Sequence, residues 1–265
     1  CDVTFIVRGA TLDALRRSGL TVVADDGGFV LDRVDATGDP ASSDVADVVL
    51  HTTKALGFAD ALRAALPLVG PETLVVTVQN GVEAPVIAAG LVGEHRVAPC
   101  VVRVFTQVRT PGVIEHRGGP GTLTLATGDG RPSAVLDAFA AALRGAGVTV
   151  LEPENIWTDL WMKAMYVGPF GALGGLTGDP LDVMRRPDVL RDALAAAAAE
   201  VCAVGRARGV PLPEDAVART LAFMDTMPDG STASMQRDLL QGRPSELDAQ
   251  VGAICRFGDE AGVPT

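Results

Sequence analysis

A lysine inside an apolar helical pattern is the residue of this sequence whose setting most favours chemistry. Ile156, Leu160, Lys163 and Val167 recur at intervals of three and four residues, which places them on one face of a predicted helix. An isolated ammonium among apolar side chains is costly, so Lys163 needs a carboxylate partner or a lowered pKa. Either condition suits a lysine that transfers a proton. The alternative is a surface lysine whose stem follows the helix and whose amine reaches water.

Three polar residues stand at the ends of predicted strands. Arg8 ends the first strand, and Lys54 and Asn80 follow later ones. In open parallel sheets, ligands bind beyond the carboxyl ends of the strands. An arginine at the position of Arg8 suits the 2′-phosphate of NADP, and an ammonium and an amide can hold a ribose, a phosphate or a carboxylate. The alternatives are solvated surface cations and a tight Asn-Gly turn.

Two further polar residues lie in the C-terminal part of the chain. Ser234 is predicted to begin a helix, where its side chain would serve as an N-cap. Glu246 follows Pro244 and would be an acid in the first turn of another helix, favoured by the helix dipole. If Glu246 instead faces Lys163, it supplies the carboxylate that a buried ammonium requires.

Composition excludes several classes of protein. The 265 residues are enough for one large or two ordinary domains, and the net charge of −11 argues against a nucleic-acid or anionic-membrane binder. The four cysteines and three histidines are scattered, so neither a metal site nor a disulfide framework is predicted. No signal peptide or apolar run of membrane-spanning length is recognised. We therefore expect a protein of the reducing cytoplasm.

The first part of the chain alternates between strand and helix patterns. The predicted strands are 2–8, 21–24, 29–34, 47–52, 73–78, 97–105, 112–116, 123–127 and 148–151, and the predicted helices are 11–18, 56–66, 86–91 and 132–145. Strands 21–24 and 29–34 have the pattern of an antiparallel hairpin. The alternation predicts an α/β fold with a mostly parallel sheet covered by helices on both faces.

The second part of the chain has only helical patterns. The predicted helices are 155–167, 187–208, 213–225, 234–240 and 246–261, and the predicted linkers are Gly174-Gly175, 178–180 and 228–230. The change of pattern predicts two domains, 1–152 and 153–265. No G-x-G-x-x-G motif follows a strand, so we expect the first strand and glycine-rich turn of a dinucleotide-binding fold to precede Cys1.

Several short motifs together resemble one enzyme family. They are Phe5-Ile-Val-Arg8-Gly9, Thr53-Lys54, Gln79-Asn80-Gly81-Val82, Trp161-Met-Lys163, Ser234-Met-Gln-Arg-Asp238 and Glu246-Leu-Asp248. In this order and spacing, the sequence resembles the ketopantoate reductase (2-dehydropantoate 2-reductase) family. The resemblance implies a Rossmann-type NADP-binding domain followed by an all-α domain, with the active site between them. It also implies a small 2-oxo acid as substrate and makes a homodimer plausible.

The resemblance assigns roles to the candidate residues one by one. Lys163 matches the family's catalytic lysine, which protonates the carbonyl oxygen as hydride arrives from the nicotinamide. Glu246 matches the acid that holds the cofactor and this lysine, and Ser234 matches a substrate-binding serine. Asn80 matches the asparagine between nicotinamide and substrate. The cofactor-side cations of the family correspond to Arg8 and Lys54.

Two positions depart from the family pattern. Asparagines are expected four and eight residues after the lysine, where this sequence has Val167 and Gly171. Without these amides the substrate pocket is more apolar, and a missing polar contact can change selectivity by orders of magnitude. The predicted activity is NADPH-dependent reduction of 2-dehydropantoate to pantoate. The alternatives are reduction of another ketone or 2-oxo acid, and a non-catalytic NADP-binding protein.

Overall fold

The computed structural model describes residues 1–25 and 27–265. Asp26, which the sequence places in the turn of the predicted hairpin, lies outside the described residues. Within the described range the last strand ends at Leu151, and the chain after it is helical. The predicted order, an α/β part followed by an all-α part, is confirmed.

Short strands make up the sheets of the first part. They are β1 Thr4–Ile6, β2 Leu20–Val23, β3 Phe29–Leu31, β4 Asp35–Thr37, β5 Ala46–His51, β6 Val69–Thr77, β7 Val97–Arg103, β8 Thr106–Thr110, β9 Val113–His116, β10 Thr122–Leu125 and β11 Thr149–Leu151. The helices between them are α1 Gly9–Ser18, α2 Phe58–Ala65, α3 Ala84–Val92 and α4 Ala134–Gly145.

The main sheet has five strands in the order β11-β10-β7-β6-β5. Strands β5, β6 and β7 are parallel, whereas β10 runs antiparallel to β7. Strand β6, which lies between β7 and β5, carries the run Leu74-Val75-Val76, which is buried on both faces. Leu74 and Val76 pack with Leu136 of α4, and Val75 packs with Phe58 of α2 on the opposite face. Such continuous apolar runs are typical of parallel strands covered by helices on both sides.

Two smaller sheets complete the first part. One has the order β3-β2-β9-β8, and in the other β1 pairs in parallel with β4. The predicted hairpin is confirmed, with β2 antiparallel to β3 and Leu20 opposite Leu31. The predicted strand 97–105 is too long, because β7 ends at Arg103 and a separate strand, β8, begins at Thr106. Neither β4 nor the fully exposed β8 has the buried pattern on which strand prediction depends.

The second part is built around one long helix, α5 Ile156–Thr177. The others are α6 Leu181–Met184, α7 Asp188–Ala207, α8 Ala216–Asp225, α9 Ser234–Leu240 and α10 Ala253–Ala261, with a π-helical turn Asp248–Gly252 before α10. Helices α7, α8 and α9 all pack against α5. No helix of the described residues has the length and apolarity needed to cross a membrane.

Helix α5 is longer than its sequence pattern predicts. The predicted end near Val167 and the predicted linker Gly174-Gly175 are both wrong, because the helix continues through Pro169 to Thr177. A Cβ at Gly174 would lie 2.6 Å from Cδ of Gln236, so α9 approaches α5 closely along its glycines. This tertiary packing outweighs the low helix propensity of glycine.

Candidate active site

Lys163 lies where α5 packs on the end of β7. Its Nζ donates a hydrogen bond of 2.8 Å to the backbone carbonyl of Val102, and its side chain is half-buried. Burial, together with the positive charge of Arg103, lowers the pKa of Lys163 from 10.5 to about 8. The amine is therefore bound to the protein rather than extended into bulk water. A buried ammonium was expected to need either a carboxylate partner or a lowered pKa, and Lys163 has the lowered pKa.

Glu246 lies near Lys163 but does not pair with it directly. Its Oε1 accepts a hydrogen bond of 2.8 Å from the backbone N–H of Ala55, and its Oε2 accepts one of 3.2 Å from Nε2 of Gln250. The described residues contain no salt bridge between Glu246 and Lys163, so the carboxylate is not a direct partner of the ammonium. The carboxylate acts on the lysine through its charge, which is the weakest of the influences on the pKa of Lys163.

Lys54 joins the α/β part to the helical part. Its Nζ is 2.8 Å from Oδ2 of Asp238 on α9, and Oδ1 of the same carboxylate accepts two hydrogen bonds from Arg243. The hydrogen bond from Lys54, reinforced by Arg243, holds the pKa of the Asp238 carboxyl below its usual value. Asp238 was part of a motif in the sequence, but its pairing with Lys54 depends on tertiary structure and was not predicted.

Asn80 is held at the end of β6 by its two neighbours. Nε2 of Gln79 donates to the carbonyls of His51 and Thr53, both at 2.8 Å, and so ties the ends of β5 and β6 together. Gly81 has φ +95, and a Cβ there would lie 2.8 Å from the carbonyl oxygen of Ala249 in the π-helical turn. Asn80, which is half-buried, therefore lies next to the contact between the end of β6 and this turn.

Ser234 and Arg8 are both exposed. Ser234 is the first residue of α9, whose N-cap is Ala233, so the N-cap reading of Ser234 is wrong by one position. The backbone N–H of Ala233 is satisfied by Gln236 instead, at 3.2 Å. Arg8 follows β1 at the start of α1. Among the described residues, no hydrogen bond or salt bridge joins Arg8 to the other candidates.

Gly171, where the family pattern has an asparagine, is covered by Met235. A Cβ at this position would lie 2.5 Å from Cε of Met235 and 3.3 Å from its Cβ. Met235 is 2% exposed and follows Ser234 directly in sequence. A larger residue at position 171 would therefore displace the methionine. The substrate pocket was expected to be apolar because of Val167 and Gly171. The thioether of Met235 makes it more apolar still, and the sequence alone did not predict its position.

Arg103 is a charged neighbour of Lys163 that sequence reasoning missed. Its Nη1 donates to Oγ1 of Thr124 at 3.1 Å, and its Nη2 is 3.9 Å from Oδ1 of Asp159. Like Lys54 and Asn80, it stands at the carboxyl end of a strand. That signal was present in the sequence, but the predicted strand ran on to Phe105 and hid it.

Cys100 is a buried thiol on β7, close enough to Lys163 for the charge of the ammonium to influence the pKa of the thiol. Burial raises the pKa of Cys100 to about 12, and the ammonium of Lys163 offsets only part of this. The described residues contain no group of three or more histidines, cysteines and acids that could hold a metal ion. The chemistry available at this place is that of ammonium, guanidinium and carboxylate groups.

Comparison with known families identifies the class of protein to which this chain belongs. The family model described as ketopantoate reductase PanE/ApbA matches residues 1–130, and the model for the C-terminal part of the same reductase matches residues 155–265. The chain belongs to this family. The resemblance inferred from the short motifs is thereby confirmed.

Individual relatives agree with the family match. A 2-dehydropantoate 2-reductase of Mesorhizobium japonicum is 28% identical over 100% of this chain and 86% of its own length. That of Caulobacter vibrioides is 31% identical over 85% of this chain and 75% of its own. The crystal structure of a PanE/ApbA family ketopantoate reductase from Ralstonia eutropha superposes with a TM-score of 0.88 at 31% identity, covering 99% of this chain and 85% of that one.

These relatives settle the class of the protein. The chain is an oxidoreductase of the ketopantoate reductase family, whose cofactor is NADP, and the prediction of an enzyme is confirmed. The predicted Rossmann-type domain followed by a helical domain is confirmed by the structural neighbours. The alternative of a non-catalytic NADP-binding protein finds no support among relatives that are named as reductases.

Proposed function

We propose that this chain reduces a 2-oxo acid with NADPH, and that the substrate is 2-dehydropantoate, which becomes pantoate. The observation that carries the proposal is Lys163, an ammonium half-buried at the end of β7 with a pKa of about 8. Such a group is protonated at neutral pH and can still give up its proton. The names of the relatives support the substrate.

Lys163 is the proton donor in this proposal. Hydride addition to a ketone builds negative charge on the carbonyl oxygen, and a nearby ammonium first stabilises that charge and then protonates the oxygen. NADPH supplies the hydride when it is bound. The Val102 carbonyl orients the amine, and the charge of Glu246 favours its protonated form.

Arg8, Lys54, Asn80 and Glu246 are the proposed cofactor-side residues. Beside exposed Arg8, Gly9 has φ +57, and a Cβ there would meet no atom within 4 Å, so the surface is open to a phosphate. Exposed Lys54 adds a second cation at a strand end. These features fit the anionic groups of NADP. Glu246, which accepts a hydrogen bond from the N–H of Ala55, would help to hold the cofactor near Lys163.

Asn80 and Ser234 are the proposed substrate-binding residues. Asn80 lies beside the interdomain contact at Gly81, and we assign its amide to the substrate from the family resemblance. Ser234 presents its hydroxyl at the exposed first turn of α9, which packs on α5 two helical turns beyond Lys163. Their amide and hydroxyl groups suit the oxygen atoms of a small keto acid.

A second candidate function is the reduction of a different 2-oxo acid or ketone. Its motivation is the apolar surface formed by Val167, Gly171 and Met235 in place of two amides. A substrate hydroxyl would lack partners on this surface, and such losses strongly reduce selectivity for hydroxylated substrates. A panel of 2-oxo acids with apolar and hydroxylated side chains separates the two candidates.

The proposed function implies a metabolic pathway and a cellular compartment. For 2-dehydropantoate as substrate, the reaction belongs to pantothenate biosynthesis, and we place the enzyme in the cytoplasm. We propose that residues 1–152 form the NADP-binding domain, that residues 153–265 form the helical domain, and that the protein assembles as a homodimer.

The decisive experiment measures NADPH oxidation by the full-length protein against a panel of 2-oxo acids. We expect 2-dehydropantoate to give the highest kcat/KM. The variant Lys163→Ala should lower kcat by about 100- to 10,000-fold, the range of general acid catalysis. NADPH binding, followed by the fluorescence of the cofactor, should persist in this variant. Unchanged turnover of Lys163→Ala would reject the mechanism.

A further inference from the structure

Arg103 is a partly buried cation beside Lys163 to which the mechanism above gives no role. We propose that Arg103 binds the carboxylate of the 2-oxo acid, an inference that rests on the proposed function. This assignment narrows the substrates of the enzyme to ketones that carry an ionised carboxylate next to the carbonyl.

The direction of Arg103 follows from the alternation of side chains along β7. Val101 packs in the apolar core formed with α5, and Arg103 is two residues further along the strand, on the same face. On α5, Asp159, Lys163 and Tyr166 recur at intervals of four and three and share a helix face. Nη2 of Arg103 lies 3.9 Å from Oδ1 of Asp159, so the guanidinium faces this row. Its charge also contributes to the lowered pKa of Lys163.

Most donors of the guanidinium remain available. Among residues 1–25 and 27–265, its side chain donates only to Thr124, and the 3.9 Å to Asp159 exceeds hydrogen-bond length. The Arg103 side chain is 32% exposed, so a small ligand can reach it. A planar guanidinium binds a carboxylate through two parallel hydrogen bonds.

The position also suits the geometry of a 2-oxo acid. The carboxylate of such a substrate is attached directly to the carbonyl carbon, so its binding group must lie close to the proton donor. Nζ of Lys163 donates a hydrogen bond to the backbone carbonyl of Val102, the residue that precedes Arg103. A substrate held by both side chains would present its ketone oxygen to the amine. Arg103 thus supplies a polar anchor in a pocket where Val167 and Gly171 supply none.

The test compares a 2-oxo acid with its uncharged methyl ester in the full-length protein. In Arg103→Gln we expect KM for the acid to rise about 10- to 100-fold, the range of a hydrogen-bonded charge pair. KM for the ester should change less than about threefold. Arg103→Lys, which keeps the charge but not the paired donors, should fall between wild type and Arg103→Gln. Equal losses for acid and ester, or no loss at all, would overturn the proposal.

Two controls separate binding from support of the fold. Thr124→Val and Asp159→Asn each remove a neighbour of Arg103, and neither should show the difference between acid and ester. Thermal unfolding of every variant checks that its fold is retained. If Arg103→Gln fails to fold, KM for the acid and KM for the ester are compared in Arg103→Lys instead.

An activity-independent measurement keeps this inference distinct from the proposed function. Phenylglyoxal modifies arginine, and its reaction at Arg103 in the presence of NADP⁺ can be followed by mass spectrometry of the peptides. A 2-oxo acid should slow the modification several-fold, whereas the corresponding amide should not. If the wild-type protein oxidises NADPH with none of the acids, the proposed function fails, and this protection still decides whether Arg103 binds a carboxylate. Equal protection by acid and amide would count against it.

Discussion

Two contacts between the α/β part and the helical part differ in kind. The apolar interdomain contact consists of Val82 and Val101 from the first part packed with Ile156, Trp161 and Phe257 from the second. All five side chains are at most 5% exposed. Burying each large apolar side chain contributes about 1.5–3 kcal/mol, so this contact is strong and insensitive to charge.

The polar interdomain contact consists of Lys54 with Asp238 and Ala55 with Glu246. The Lys54 side chain is 62% exposed, and ion pairs with such exposure contribute about 0–1 kcal/mol. The difference shows that apolar burial contributes far more to joining the two parts than the Lys54 ion pair does. The proposed cofactor residues Lys54 and Glu246 belong to the polar contact.

The largest expected effect tests the strength of the apolar contact. Trp161→Ala should lower the free energy of unfolding by about 3–5 kcal/mol, because it removes a fully buried aromatic side chain from the interdomain core. Chemical denaturation of both proteins measures the loss. Phe223→Ala is the matched control, since Phe223 is 46% exposed and should cost far less. A loss below about 1 kcal/mol for Trp161→Ala would refute the assigned strength of this contact.

A smaller effect concerns Lys163, on the same helix as Trp161. The pKa of Lys163 is lowered from 10.5 in the unfolded chain to about 8 in the folded one, so its proton opposes folding. This cost is fully present below about pH 8 and disappears as the pH rises to 10.5. Lys163→Met should therefore raise the free energy of unfolding by about 1–2 kcal/mol at pH 7, after allowance for partial burial.

Denaturation at a series of pH values checks this stability prediction. The gain of Lys163→Met over wild type should shrink steadily above pH 8. Lys54→Met provides the matched control, because it removes the same charge from an exposed site. A gain for Lys163→Met that stays constant up to pH 10.5 would contradict the prediction.

The smallest effect on stability is expected at the polar contact. Lys54→Met should change the free energy of unfolding by less than about 1 kcal/mol, because Asp238 keeps Arg243 as a partner. NADPH affinity should fall about tenfold, the worth of one charged hydrogen bond to a phosphate. Denaturation and cofactor fluorescence titration give the two values. A stability loss as large as that of Trp161→Ala would erase the distinction between the contacts.

The sequence was informative where periodicity reflects burial. The alternating strands and helices and the apolar face that carries Lys163 follow from local patterns, and these predictions are confirmed. The glycines of α5 read as a linker because their packing against α9 is a tertiary property. Met235 was missed for the same reason, because its contact with Gly171 joins two distant segments. Arg103 was missed because the predicted strand ran past its actual end.

The burial of the cysteines has a practical consequence. Cys100 and Cys202 are both buried. The Cys100 thiol, with a pKa of about 12, forms almost no thiolate at physiological pH. Alkylating reagents will therefore reach Cys1 and Cys255, which are exposed on the α/β part and on α10. One fluorescent dye on each of these two sulfur atoms would report interdomain distance in solution while leaving the surroundings of the lysine unlabelled.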